Sequence, residues 1–573
     1  MRGTRPTTAL GRSSPCPYPS PKRRGDVVGS AARFSALALA ASLALVAGCA
    51  TPAETAGRAD AGETLVPGFE TPAEASGYEH TASYAETREI LDLLADGSGP
   101  QFYTRPFGTT AEGREMPLVV WGTDSAEAEA IRQSGKTVVL VIGGIHAGEP
   151  AGKDAMLALM RDLAAGQHAA WADSLVLVVV PIYNADGAER IAYDNRPLQF
   201  GPLGGMGVRP NAQGLDLNRD FVKAASPEAQ AMITLIRDLD PHVVLDLHTT
   251  DGSPMGYHLT YAPGLSPNTP AAIDADLWDR WLPSISDSLR TADDYATYHY
   301  GNVPGAFGEP ATAPRGWYSF SAEPRFSTNY VGLRGRYGIL SEAYSYASFQ
   351  ERVDVSRRFV EETLDRVWSE ASLVRQRAAD ADEQSVVGQE QAVRTTWAPL
   401  AQPVEILLGE VDTLRHPVSG EPMRVRRDVR VPETMPAFVR FVASESVVAP
   451  QSYVVRAGPA QAAIRDLLDL HGIRYTTGPA PEAGRQRFEI DSLTVADRPS
   501  QNVRMQTVTG AWRAAPAERL SQALIVPVDQ PLGRLAVALL EPRSEDGVVA
   551  WAIVPARALA AGGSVPIERI PAR

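Results

Sequence analysis

Thr137-Val-Val-Leu-Val-Ile-Gly-Gly-Ile-His-Ala-Gly-Glu-Pro150 decides how this chain is read. An apolar, β-branched run ends on Gly143-Gly144, which predicts a strand buried on both faces and then a tight loop. His146 and Glu149 sit in that loop. Pro150 opens a helical pattern with Ala155, Met156, Leu159 and Met160 on one side. Strand, loop and helix in this order put chemistry beyond the carboxyl ends of an open α/β sheet. A second run, His242-Val-Val-Leu-Asp-Leu-His248, ends a strand on a histidine. Two imidazoles and one carboxylate suit Zn²⁺, and three protein ligands leave a position open for water. His146, Glu149 and His248 are thus candidate ligands of one zinc ion per chain, arranged for catalysis.

Three further stretches follow: Arg209-Pro-Asn-Ala-Gln-Gly-Leu-Asp-Leu-Asn-Arg-Asp220, Asp246-Leu-His248 and Ile339-Leu-Ser-Glu-Ala-Tyr344. Together with the His-x-x-Glu pair, and in this order over residues 80–370, they resemble the zinc carboxypeptidase family (carboxypeptidase A/B-like). A His₂Glu set is also the one known for carboxypeptidase A, so the ligand assignment leans on the resemblance as well as on donor chemistry. The resemblance implies an α/β fold with a mixed, largely parallel central sheet flanked by helices. It implies that Glu342 is the general base and later the general acid. Asn218 and Arg219 would hold the substrate's terminal carboxylate. Arg209 would polarise the scissile carbonyl, with Arg196 as a competitor. Asp216 would hydrogen-bond the far nitrogen of His146. For the family's mobile tyrosine, Tyr330 and Tyr318 are both candidates.

These residue types fit peptide hydrolysis. Zinc lowers the pKa of coordinated water to about 7 in favourable sites. A neighbouring carboxylate can take that proton and pass it to the leaving amine. An arginine offsets the developing oxyanion, and a guanidinium fork reads a free carboxylate in a bidentate manner. A glutamate inside an apolar strand, as at Glu342, is costly unless paired or functional. His168, His416 and His471 read as loop, surface or cap residues, and His258 as a structural histidine near the His248 strand.

Lys22-Arg-Arg24 and Arg33 precede an apolar run from Phe34 to Val46, and Val46-Ala-Gly-Cys49 follows. This order is expected of a lipoprotein signal peptide over residues 1–48, with the lipid on Cys49. The run is too short to span a bilayer stably. Those 48 residues hold seven of the 54 basic and one of the 68 acidic residues, so without them the net charge moves from −14 to −20. That charge excludes nucleic acid as an expected partner. Several acyl chains would suffice for anchoring. Ala50 after the cysteine favours a bacterial outer membrane, facing the periplasm. The other cysteine, Cys16, would leave with the leader, so stability is expected from a large core and not from a disulfide.

Residues 49–77, rich in Ala, Thr, Glu, Gly and Pro, are expected to form a flexible tether. A catalytic domain is expected over 78–380, starting with a helix from Ser83 to Ala95 and ending with one from Ser356 to about Gln376. Between them, residues 115–121 and Ser174–Ile182 read as sheet strands. Residues 387–573 alternate short β-type runs with Pro/Gly turns and predict one or two mainly β domains. Strands are expected at Val404–Leu408, Arg424–Val431, Ala437–Val442, Ala523–Val528 and Val548–Val554, with a helix at Ala460–His471.

The function expected is a zinc metallocarboxypeptidase acting on peptides. Other readings are an amidase or carboxypeptidase on cell-wall stem peptides, an N-acyl amino acid deacylase of aspartoacylase type, and a binding lipoprotein with a relic site. Side-chain preference would be set within Ser319–Arg336, where Glu323 and Arg325 are candidates. Oligomeric state is not legible.

Overall fold

In β3 (Thr137–Gly143) every residue is buried, and alternate side chains enter different cores. Val138, Leu140 and Ile142 face one side, and Val139 and Val141 the other. This is what a period-two strand does when both sheet faces are covered. The computed structural model describes residues 69–97 and 102–572. Cys49 and the expected signal peptide lie outside them.

The main sheet contains β1 (Phe102–Thr109), β2 (Glu115–Trp121), β3, β4 (Leu175–Val180), β5 (Val243–Thr250), β6 (Leu259–Pro263), β7 (Thr297–His299) and β9 (Tyr337–Tyr344), in the order β1-β2-β4-β3-β5-β9-β6-β7. The central four, β4-β3-β5-β9, are parallel. The antiparallel pairs are β1-β2, β2-β4 and β9-β6, and β6-β7 is again parallel. This is the expected mixed sheet. The two-residue β8 (Trp317–Tyr318) lies outside it and pairs with Ala437–Phe438.

Helices Ala151–Ala164 and Phe349–Ser369 cover one face with Met156, Leu159, Phe359 and Leu364. The other face is covered by Pro227–Leu239 through Met232, Ile233 and Ile236, and that core continues into the C-terminal region at Tyr453, Phe488 and Val526. The C-terminal region is mainly β. Its six-stranded antiparallel sheet runs, by residue range, 476–478, 523–527, 452–455, 564–570, 486–495 and 506–514.

A polar latch also crosses between the two regions. His471, at the end of helix Gln461–His471, lies 2.9 Å from the carbonyl of Val222 through Nε2 and 2.9 Å from the Tyr330 hydroxyl through Nδ1. Expected as a surface or cap residue, His471 is fully buried. Burial lowers its pKa to about 4, so it holds this place as a neutral ring.

Several local expectations shift. Of the tether expected over 49–77, residues 49–68 lie outside the described residues, and part of the remainder is folded onto the domain. Helix Pro72–Ala75 buries Ala73, and Glu74 binds Arg161. Ser83 caps the next helix, Tyr84–Asp96, through a capping box with Glu86. The long helix expected from Ser356 begins at Phe349 and breaks at Glu370, whose φ of −115° leaves the helical region. The Glu370 side chain is instead bound by Arg280 and Trp281. Arg424–Val431 divides between strands Pro422–Arg426 and Val431–Met435, and Ala437–Val442 between Ala437–Phe438 and Arg440–Val448. Val548–Val554 is no strand. It is a turn packed in the core, with Trp551 N donating to Gly547 O and Ala552 at φ 56°. An apolar run is buried there without a ladder, which periodicity alone does not distinguish from a strand.

Candidate metal centre

The loop after β3 turns at once. Gly144 has φ +65°, and a Cβ on Gly143 would stand 2.8 Å from the Pro181 carbonyl oxygen, so both positions require glycine. Glu149 N donates to His146 O at 2.9 Å, which curls the loop so that both side chains point the same way. His248 comes from β5, the strand beside β3.

Three donor atoms then meet. His146 Nδ1 lies 3.1 Å from His248 Nδ1 and 3.2 Å from Glu149 Oε1, and His248 Nδ1 lies 3.0 Å from Glu149 Oε2. All three residues are at most 3% exposed. Among the described residues, they form a group of ligand atoms able to share one ion. Tetrahedral zinc with bonds of about 2.0–2.1 Å needs donors about 3.3 Å apart, close to these separations.

The outer ring nitrogens show which tautomers are present. His146 Nε2 faces Asp216 Oδ1 at 2.9 Å, and His248 Nε2 faces Asp246 Oδ2 at 2.9 Å. A carboxylate accepts, so each Nε2 carries a proton, which leaves Nδ1 as the inward-facing nitrogen able to ligate a cation. Two ring nitrogens and a carboxylate then face one another in a buried space, an arrangement that calls for a cation. The protonation energetics show the same pull toward positive charge, which a proton on His248 meets in the metal-free protein. Burial lowers the pKa of His248, but Asp246 and Glu149 outweigh it and raise it well above the ordinary value. Burial raises that of Glu149, but His146 and Arg196 outweigh it and hold the carboxylate well below its usual range. The donor set and the anionic environment fit zinc.

Glu342 lies on β9, in register with His248 on β5 and with Thr260 on β6. Burial pushes its carboxyl up to about 8. His248 and Arg209 oppose that rise, and Glu149 and Asp246 add to it. Asp216 binds Arg209 through Oδ2 at 3.0 Å as well as His146 through Oδ1, and it caps the short turn Leu217–Arg219 by accepting from Asn218 N. Arg209 and Arg196 both reach Glu149 Oε1, at 3.3 and 2.7 Å. Arg196 is nearly buried, and the Arg209 side chain is 40% exposed. Arg219 lies 4.0 Å over the Phe326 ring and donates to Asn218 O. Asn218 is buried, with Nδ2 3.2 Å from His248 Nε2 and Oδ1 accepting from Ser327 N. Its amide oxygen is thus engaged within the protein.

Tyr330 is not brought to this cluster. It is fully buried, and its hydroxyl is bound by His471 and Arg334. Tyr318 stacks on Phe438 at 4.3 Å. Of the candidates for side-chain preference, Arg325 is tied to Asp546 at 2.9 Å and Glu323 binds Ser321.

Sequence reasoning gave Asp246 no role of its own. A signal existed, since Asp246 stands two residues before His248 on a strand and so on the same face. Ser327, which donates to Asp246, carried no such signal.

Residues 88–271 match the family model described as zinc carboxypeptidase. They include His146, Glu149, Arg209–Arg219 and His248, and Glu342 lies beyond them. Carboxypeptidase 2 of Trichophyton tonsurans is 32% identical over 168 residues, 28% of this chain and 28% of that protein. Mouse (Mus musculus) carboxypeptidase D is 28% identical over 191 residues, 28% of this chain and 13% of that protein. The match thus spans less than a third of these curated relatives. Among solved structures, a metallo-carboxypeptidase from Burkholderia cenocepacia is 18% identical, with a TM-score of 0.39 over 51% of this chain and 70% of the other. Carboxypeptidase A from Helicoverpa armigera is 16% identical, with a TM-score of 0.37 over 53% and 75%. Over residues 88–271, which hold the ordered motifs from His146 to His248, this chain is similar to the zinc carboxypeptidase family.

Proposed function

We propose that this protein is a zinc metallocarboxypeptidase that releases C-terminal residues from peptides. The observation that carries the reading is the buried triangle of His146 Nδ1, His248 Nδ1 and Glu149, with each imidazole held by a carboxylate behind it. When bound, zinc supplies Lewis acidity and a lowered water pKa. Asp216 and Asp246 hold the rings in the tautomer that presents Nδ1. Glu342 takes a proton from the attacking water and returns it to the leaving amine. Arg209, the more exposed of the two arginines at Glu149, faces the oxyanion. Arg219 binds the substrate's free carboxylate, with Phe326 fixing the plane of its guanidinium.

The test is hydrolysis of matched peptides by the zinc-loaded protein. Free C-termini are expected to be cleaved one residue at a time, and C-terminally amidated versions to resist. Release only from D-residue or diaminopimelate peptides would move the substrate to cell-wall stems. Cleavage of N-acyl amino acids alone would overturn peptide hydrolysis.

We further propose, from the basic run, apolar core and Val46-Ala-Gly-Cys49, that the chain is lipid-anchored through Cys49 in a bacterial envelope. Fatty-acid labelling that survives Cys49→Ala would contradict this.

A further inference from the structure

The C-terminal sheet reaches the metal centre through one turn. Strands Gln486–Val495 and Gln506–Ala514 are neighbours, and the chain between them narrows to a two-residue turn. Ser500 and Val503 exchange both backbone hydrogen bonds, at 2.8 Å each. The two residues at the tip, Gln501 and Asn502, have φ of 49° and 62°. Consecutive left-handed residues define the tight hairpin turn that Asn-Gly ordinarily fills, so a glutamine at the first position is conformationally costly. Its side chain has a specific use. Gln501 Oε1 accepts from the backbone N of Asp216 at 2.9 Å, across 285 residues of sequence.

Asp216 is where the outer bonds of the centre converge. Its carboxylate takes His146 Nε2, Asn218 N and Arg209. Its own backbone N–H donates to Gln501. A second contact from the C-terminal region acts beside it. Asp546 binds the backbone N of Arg325 at 2.7 Å and its guanidinium at 2.9 Å. Two residues on, Ser327 donates to Asp246, the carboxylate behind His248. The carboxylates behind both histidines are therefore each linked to the C-terminal region, Asp216 directly and Asp246, on β5, through the Arg325–Ser327 segment.

We propose that Gln501 is a positioning residue of the metal centre. Its amide oxygen sets the backbone of Asp216, and through Asp216 the orientation of His146 and Arg209, so that the C-terminal sheet is part of the site it borders. This rests on reading His146, Glu149 and His248 as a zinc site. Partners behind metal-binding histidines are worth about 10–100-fold in metal affinity, and a residue one bond further out is expected at the lower end.

The experiment measures zinc retention by chelator competition on the full chain, alongside thermal unfolding and peptide kinetics. Gln501→Ala is expected to release zinc about tenfold more readily, with kcat lowered more than KM is raised. Gln501→Glu, which keeps an acceptor oxygen, is expected to restore retention. Asn502→Gly, which relaxes the turn and keeps Gln501, is expected to match wild type. Equal retention in Gln501→Ala and wild type would overturn the proposal, as would equal loss in the Ala and Glu variants. If the wild type binds zinc but cleaves no peptide, the functional reading fails and the zinc measurement still decides the role of Gln501.

Discussion

His248 and Glu342 stand opposite each other on neighbouring parallel strands, β5 and β9, in the same register. The backbone ladder, and not a mobile loop, therefore sets the distance between a metal ligand and the proposed base. A site built on strands holds its geometry more tightly than one built on loops. Glu342→Gln is expected to lower kcat by about 10²–10⁴-fold, the usual range for a lost general base, with zinc content unchanged. Kinetics and metal analysis on the same sample check both.

The raised pKa of Glu342 also predicts a pH effect on the zinc-free protein. Its folded value, about 8, lies above the ordinary 4.5. Its stabilising contribution is thus fully present below 4.5 and lost as pH rises through 8. Calorimetry of chelator-treated protein is expected to show the wild type losing stability relative to Glu342→Gln across that window. In the zinc-loaded enzyme the cation favours the ionised carboxylate, so the ascending limb of kcat/KM is expected below pH 8.

Asp216→Asn and Asp246→Asn each remove the negative charge that favours a proton on Nε2 of a ligand histidine. Each is expected to weaken zinc binding about 10–100-fold. Asp216→Asn also loosens Arg209, so its kcat/KM is expected to fall further than that of Asp246→Asn at saturating zinc. Chelator competition followed by kinetics separates the two effects.

Arg219→Ala is expected to lower kcat/KM about 10–100-fold for peptides with a free C-terminus, the cost of a charge-assisted contact of about 1.5–3 kcal/mol. Slow hydrolysis of amidated peptides is expected to be insensitive to it. A uniform loss on both would assign Arg219 to structure.

His471→Ala breaks the latch between the C-terminal helix and Val222 and Tyr330. The loss of two buried hydrogen bonds and of packed ring volume is expected to cost about 2–4 kcal/mol and to lower Tm by several degrees. The continuous core across both regions predicts one unfolding transition in wild type.

Much of the site was legible because its residues follow strands whose burial writes itself into sequence. β3 and β5 are apolar runs, and their ends carry His146, Glu149 and His248. The main sheet was legible for the same reason. What escaped was decided by tertiary contacts without local signal. Gln501 meets Asp216 across 285 residues, and Asp546 meets Arg325 across 221. Tyr330 had the right residue type and roughly the right place, but a helix end from the C-terminal region claims its hydroxyl. Val548–Val554 reads as a strand by composition, yet no neighbour offers it a ladder. A continuous helical pattern breaks at Glu370, whose side chain binds Arg280 and Trp281 from a distant helix.

The most direct test combines metal content with product analysis. Purified protein, loaded with zinc and freed of excess, is incubated with a peptide of free C-terminus, and the released amino acid is identified. The account predicts one zinc per chain, release of the C-terminal residue, loss of that release on chelation and its near-abolition in Glu342→Gln. Protein that binds no zinc, or that releases the same residue undiminished with Glu342→Gln, would contradict it.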